Sequence, residues 1–132
     1  MKKIIFALTF SMVFFSCQTP TKEMSNQEIP GKLKHIVFFW LKNPDNATDR
    51  ATFEKAINKL MAENKQAVAT YLGTPAPTEK RDVVDQSYSY CYMMTFPSLE
   101  AQALYQNDPT HLTFIDEASH LWEKVVVYDA VP

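Results

Sequence analysis

The chain has 132 residues, room for one domain and no more. At 46% hydrophobic, 21% charged and 13% aromatic, its composition is that of an ordinary globular protein and excludes both a disordered chain and a disulfide-built one. A formal charge of −2 and the lack of any Lys/Arg cluster leave no electrostatic footprint for a nucleic-acid partner.

The first segment reads as an address. Met1-Lys2-Lys3 is a positive start, Ile4 to Phe15 a short apolar run, and Ser16-Cys17 closes it. The run is too short to span a bilayer, and its flanks predict a cleaved export signal. A small residue followed by Cys here resembles a bacterial lipoprotein signal over residues 1–17, with Cys17 acylated as the mature N-terminus. Phe14 stands where that motif usually has Leu; the alternative is an ordinary secretory signal that happens to carry a Cys. Gln18 rather than Asp after the Cys gives no inner-membrane retention signal. The expectation is an exported protein held by lipid to a bacterial membrane, the outer membrane facing the periplasm, with no spanning helix. Residues 18–30, rich in Thr, Ser, Pro, Gln and Glu, are expected to be a tether, and 31–132 the domain. Cleavage would remove Lys2 and Lys3 and leave 11 basic against 15 acidic residues. It would also leave Cys91 without a disulfide partner, so Cys91 is expected to be a small buried hydrophobe within a strand.

The domain then reads as strand, helix, strand, strand, two short helices and a last strand. Lys34 to Leu41 is β-branched and aromatic, and Asn43-Pro44-Asp45-Asn46 stops it. Thr48 is the expected cap of a helix whose apolar positions Phe53, Ala56, Ile57, Leu60 and Met61 fall at helical spacing. Val68 to Gly73 predicts a short strand, and Thr74 to Asp85, with two prolines, a loop. Ser87 to Phe96 alternates, placing Tyr88, Tyr90, Tyr92, Met94 and Phe96 on one face. Ser98 caps a short helix, Asp108-Pro109 opens another, and Val125 to Tyr128 is the final strand.

That inventory implies a second copy. Strand 34–41 is apolar on both faces, as is 125–128, whereas the helices are few and short enough to cover one face only. Sheet-to-sheet association into a homodimer is the economical cover.

Histidines carry the chemical signal. Behind Asp108 as cap and Pro109 at the first helical position, His111 falls at the third. The stripe His111, Phe114, Ile115, Ala118, Trp122 turns it toward the sheet. Burial and the helix N-terminus both disfavour the imidazolium, while Asp108 pulls the other way. Two readings stay open: a core histidine bonded to backbone, or a neutral base at the mouth of an apolar cavity. Tyr105, six residues earlier, is either an aromatic filler or a donor to a ligand oxygen. His35 alternates with Val37, Phe39 and Leu41, and would line the same cavity or simply cap the sheet. His120 groups with Asp116 and Glu117 on a polar side. With only Gly31 and Gly73 there is no phosphate loop, and neither a zinc spacing nor a nucleophile motif occurs. No metal and no cofactor are expected.

Several stretches together carry a resemblance to the Dabb family, the stress-responsive dimeric α/β barrels. They are Lys34-His35-Ile36-Val37-Phe38, the run Met94 to Ala101 with its Thr95-Phe96, the run Tyr105 to Phe114 with its Pro109 and His111, and Trp122 to Asp129. The resemblance spans the whole domain in order. It implies an α+β fold, with a ferredoxin-like four-stranded antiparallel sheet, helices on one face and a barrel completed by a second copy. A plant polyketide cyclase of this family uses the residues matching His111 as base and Tyr105 as donor. Many members carry a second His where this chain has Asp108, a departure that removes a two-histidine chemistry at that corner. The resemblance thus points to a cofactor-independent enzyme on small apolar or aromatic molecules, with His111, Tyr105 and His35 as site residues. The competing class is a non-catalytic stress-response or ligand-binding module. A third, resting on fold analogy alone, is a monooxygenase-like or haem-degrading barrel.

Overall fold

The computed structural model describes residues 29–132, so the expected export signal, Cys17 and nearly all of the expected tether lie outside the described residues. Strand β1 (Leu33–Leu41) alternates strictly between buried and half-buried positions, as its two-sided apolar sequence requires. Helix α1 (Ala47–Glu63) follows. Its cap is Asn46 rather than Thr48: the Asn46 side chain accepts from the backbone N–H of Thr48 and of Asp49, at 2.9 and 3.1 Å. The turn after β1 ends two residues earlier than a Thr48 cap requires, and Asn is at least as good a cap as Thr. Phe53, Ala56, Ile57 and Leu60 form the buried stripe of α1.

Strands β2 (Ala69–Gly73) and β3 (Tyr90–Phe96) are joined by residues 74–89, which form neither helix nor strand. Ser98 caps α2 (Leu99–Gln106) through the Ala101 N–H, and Asp108 caps α3 (Pro109–Ala118) through the Thr110 N–H. A 3-10 turn over Ser119–Leu121 leads into β4 (Trp122–Ala130). The sheet order is β2-β3-β1-β4, and every neighbouring pair is antiparallel. This is the ferredoxin-like arrangement expected, with the core helices on one face. No helix among the described residues is long and apolar enough to cross a membrane.

Register decides what meets what. His35 on central β1 stands opposite Met94 of β3 and Asp129 of β4. One row along, Val37 stands opposite Tyr92 and Val127, and in the next, Phe39 opposes Tyr90 and Val125. Tyr90, Tyr92, Met94 and Phe96 are buried on the helix side, as alternation predicted. Tyr88 is not among them: β3 starts at Tyr90, and the Tyr88 ring lies against Phe38 on the opposite side, 4.9 Å between centroids. Cys91 lies on that outer side too, half-buried rather than buried. Trp122 opens β4 instead of completing a helical stripe, because α3 ends at Ala118.

Under α1 the core is aromatic. Phe53 stacks on Tyr90 at 4.6 Å, Phe39 meets Phe53 edge-on at 5.0 Å, and Phe114 stacks on Trp122 at 5.6 Å. Such pairs add about 0.5–1.5 kcal/mol each to what area burial supplies. The Tyr90 hydroxyl donates to Glu54 at 2.5 Å, and the Arg50 guanidinium lies over the same ring at 4.7 Å. One wall of the sheet is thereby fixed.

Candidate functional site

Beside that aromatic block, where α2 and α3 pass over β1 and β4, lies a cavity of about 400 Å³. Val37, Phe39, Phe114 and Trp122 make it apolar, and His35, Tyr92, Tyr105, His111 and Asp129 supply its polar groups. The three residues singled out from sequence therefore line one cavity. The tilted Tyr105 ring lies 4.3 Å from that of His111 and edge-on to His35 at 5.9 Å. His120 stays away from this cluster, exposed, its backbone carbonyl accepting from Lys42.

Local sequence fixes His111. Asp108, the cap, accepts from the Thr110 backbone N–H and hydroxyl at 2.8 and 2.5 Å, and from the Gln66 side chain at 2.9 Å. Its carboxylate is occupied by these donors, and the His111 ring bonds instead to the Gln106 carbonyl through Nδ1 at 3.2 Å. A carbonyl only accepts, so Nδ1 carries the proton and Nε2 of the neutral ring keeps its lone pair. Burial lowers the His111 pKa below 6.5, and nearby His35 lowers it further; the Gln106 bond and Asp108 oppose this without reversing it. The side chain is half-buried, as a residue at a cavity wall should be.

His35 is held from the other side. Its Nδ1 lies 2.6 Å from the Asp129 carboxylate, which fixes the proton on Nδ1 and orients the ring. Register places this pair, since residues directly opposite on antiparallel strands share a face. Sequence reading missed Asp129 as a site residue, although it stands in the last strand on the same face as Val125 and Val127. The pairing register that reveals it is absent from the sequence of β4 alone.

Two phenols complete the lining. Burial, with the Asp108 charge adding to it, pushes the Tyr105 pKa far above 10 and keeps the phenol protonated as a donor. Tyr92 is 1% exposed, and burial raises its pKa still more strongly. Its hydroxyl finds no hydrogen-bond partner among the described residues, a condition that costs about 1–3 kcal/mol. Sequence alternation placed Tyr92 on the inner face but gave no reason to treat it as more than core. Among the described residues, no group of three or more His, Cys, Asp or Glu side chains could hold a metal ion.

The fold has counterparts. A hydroxynitrile lyase from Passiflora edulis is similar in structure at 21% identity, with a TM-score of 0.64 over 79% of this chain and 95% of that one. A Dabb-family protein with a ferredoxin-like fold from Mesorhizobium loti matches at 22% identity and TM-score 0.63, over 78% of this chain and 98% of its own. A dimeric ferredoxin-like protein from Thermobifida fusca matches at 15% identity and TM-score 0.62, over 81% and 97%. At these identities the likeness shows the fold. No curated protein matches the chain. The family model for the stress responsive A/B barrel domain, Dabb, matches residues 33–132, and the chain belongs to that family.

Proposed function

We propose that the domain binds a small apolar or aromatic carbonyl compound in this cavity and performs cofactor-independent acid–base chemistry on it. The observation that carries the reading is the convergence of His111, Tyr105 and His35 on one apolar cavity, with Nε2 of His111 left free. The step has a simple balance. A C–H bond next to the carbonyl breaks, its proton passes to Nε2 of His111, and the electron pair moves onto the carbonyl oxygen. The Tyr105 hydroxyl donates to that oxygen as charge develops. His35, oriented by Asp129, helps to position the ligand. Structural likeness to the Passiflora hydroxynitrile lyase supports an enzymatic reading at the level of fold.

Phenylacetone in deuterium oxide supplies the test, followed by loss of its methylene proton signal. The wild-type domain should accelerate exchange, and His111→Ala should lose about 10²–10⁴ of that acceleration. Saturable binding with no exchange, across a panel of aryl ketones, would refute turnover and leave the non-catalytic binding module.

The assembly belongs to the same proposal. Ile36, Phe38, Trp40 and Cys91 leave the outer sheet face apolar and half-buried, with Tyr71 and Tyr128 exposed beside them. A second copy, sheet against sheet, would cover that face, in keeping with the dimeric Thermobifida protein. Light scattering on the fragment from Gly31 should give twice the monomer mass; a stable monomer at micromolar concentration contradicts it. The lipid anchor at Cys17 rests on the sequence signal, and Cys17→Ser should abolish fatty-acid labelling and release the protein from membranes.

A further inference from the structure

Among the described residues, two buried side-chain polar atoms lack a partner, the hydroxyls of Tyr92 and Thr95. What they face separates them. Thr95 packs at the far end of β3 close to Gly31, whereas Tyr92 lines the cavity. It sits on the cavity floor, opposite Val37 on one side and Leu72 on the other. Phenylalanine would fill that floor equally well and leave no orphaned hydroxyl. The cavity-lining polar side chains of the next row, His35 and Asp129, are tied to each other, and Val37 and Val127 in the row of Tyr92 itself carry no polar side-chain atom.

We propose that Tyr92 is a ligand-binding residue, its hydroxyl donating to the oxygen at the buried end of the ligand, so that the site selects aryl ketones and aldehydes over hydrocarbons of the same shape. The inference rests on the reading of the cavity as a site for a small carbonyl compound and adds to it a second donor, at the buried end. A neutral oxygen fits better than a carboxylate, because the surrounding wall is apolar and an unpaired charge there would be costly. The hydroxyl is closed off in the ligand-free chain, so a side-chain adjustment at the wall accompanies binding, as is common at recognition sites. Burial keeps the phenol protonated throughout the physiological range, and an acceptor oxygen is what a protonated phenol lacks here.

Acetophenone and ethylbenzene, matched in shape and differing by the carbonyl oxygen, are the probes, with the ring resonances of His111 as reporter. The wild-type domain should prefer acetophenone by roughly tenfold, the worth of one net hydrogen bond. Tyr92→Phe should cut that preference severalfold, to the share that the Tyr105 donor supplies, leave ethylbenzene binding unchanged, and unfold at the same temperature as wild type or higher. A preference undiminished in Tyr92→Phe and lost in Tyr105→Phe overturns the assignment while leaving the carbonyl-binding cavity intact. A Tyr92→Phe variant that melts clearly lower with its preference unchanged makes the hydroxyl structural, and also overturns it. If neither probe perturbs His111, the small-molecule reading of the cavity fails, and the assignment falls with it.

Discussion

One sheet face carries two unlike halves. Under α1 the rows of β1 and β3 are sealed: Phe53, Ile57 and Leu60 press on Phe39, Tyr90 and their neighbours, and almost nothing there reaches water. Toward β4 the same face stays open. Val125 and Val127 point the same way as Phe39 and Val37, yet they remain 37% and 47% exposed. The cause is reach. The long α1 covers one side, whereas α2 and α3 are short and leave the edge strand bare. A cavity whose polar groups come from the sheet below and the short helices above is the result, and its walls are held by hydrogen bonds where the sealed half relies on packing. Stability should therefore be concentrated in one half and chemistry in the other.

Substitutions in the two halves should separate accordingly. Phe53→Ala removes the ring that stacks on Tyr90 and meets Phe39, and should cost about 3–5 kcal/mol in urea unfolding. Val127→Ala, on the open side, should cost under about 1 kcal/mol, since half its side chain already meets water. Equal costs would mean that the open half is sealed in solution, and the division would collapse. Asp129→Ala comes next in size. It leaves buried His35 without its acceptor and should cost about 1–2 kcal/mol, held down by the exposure of the carboxylate. The His35 ring should lose its fixed orientation in NMR spectra; an unchanged ring would show that Asp129 does not orient it.

The sealed half was almost fully legible in the sequence, and the open half only in part. Helical spacing from Phe53 to Leu60 and alternation from Tyr90 to Phe96 are local patterns, and both survive in the fold because packing agrees with them. The misplacements fall where a boundary moved by two or three residues. Asn46 takes the cap from Thr48, Tyr88 leaves the strand, and Trp122 joins β4. Around the cavity, Asp108-Pro109 fixed the placement of His111 by local rules alone. Asp129 beneath His35 and the orphaned Tyr92 are non-local: they depend on register across strands 94 residues apart, and on what an interior hydroxyl fails to meet. One sequence carries no mark of either.

Acidification provides the smallest effect and the sharpest discrimination between the two readings of His111. Burial puts its folded pKa below 6.5, so above that pH the ring is neutral in folded and unfolded chains alike and contributes no pH dependence. As pH falls through 6.5 the unfolded chain takes up the proton first. The folded state then loses stability until pH passes below the folded pKa, where both forms are protonated and the loss stops. Melting curves between pH 8 and 5 should show this decline in the wild-type domain, and His111→Ala should flatten part of it while leaving stability at pH 8 nearly unchanged. An ion pair with Asp108 predicts the opposite sign: with the folded pKa above 6.5, wild-type stability would rise as pH falls from that pKa to 6.5 and then level off, and the Ala variant would lose that rise. The geometry favours the decline, because Thr110 and Gln66 already occupy the Asp108 carboxylate and the Gln106 carbonyl holds the imidazole. A rise on acidification that His111→Ala removes would make His111 a structural cation and end its candidacy as a base.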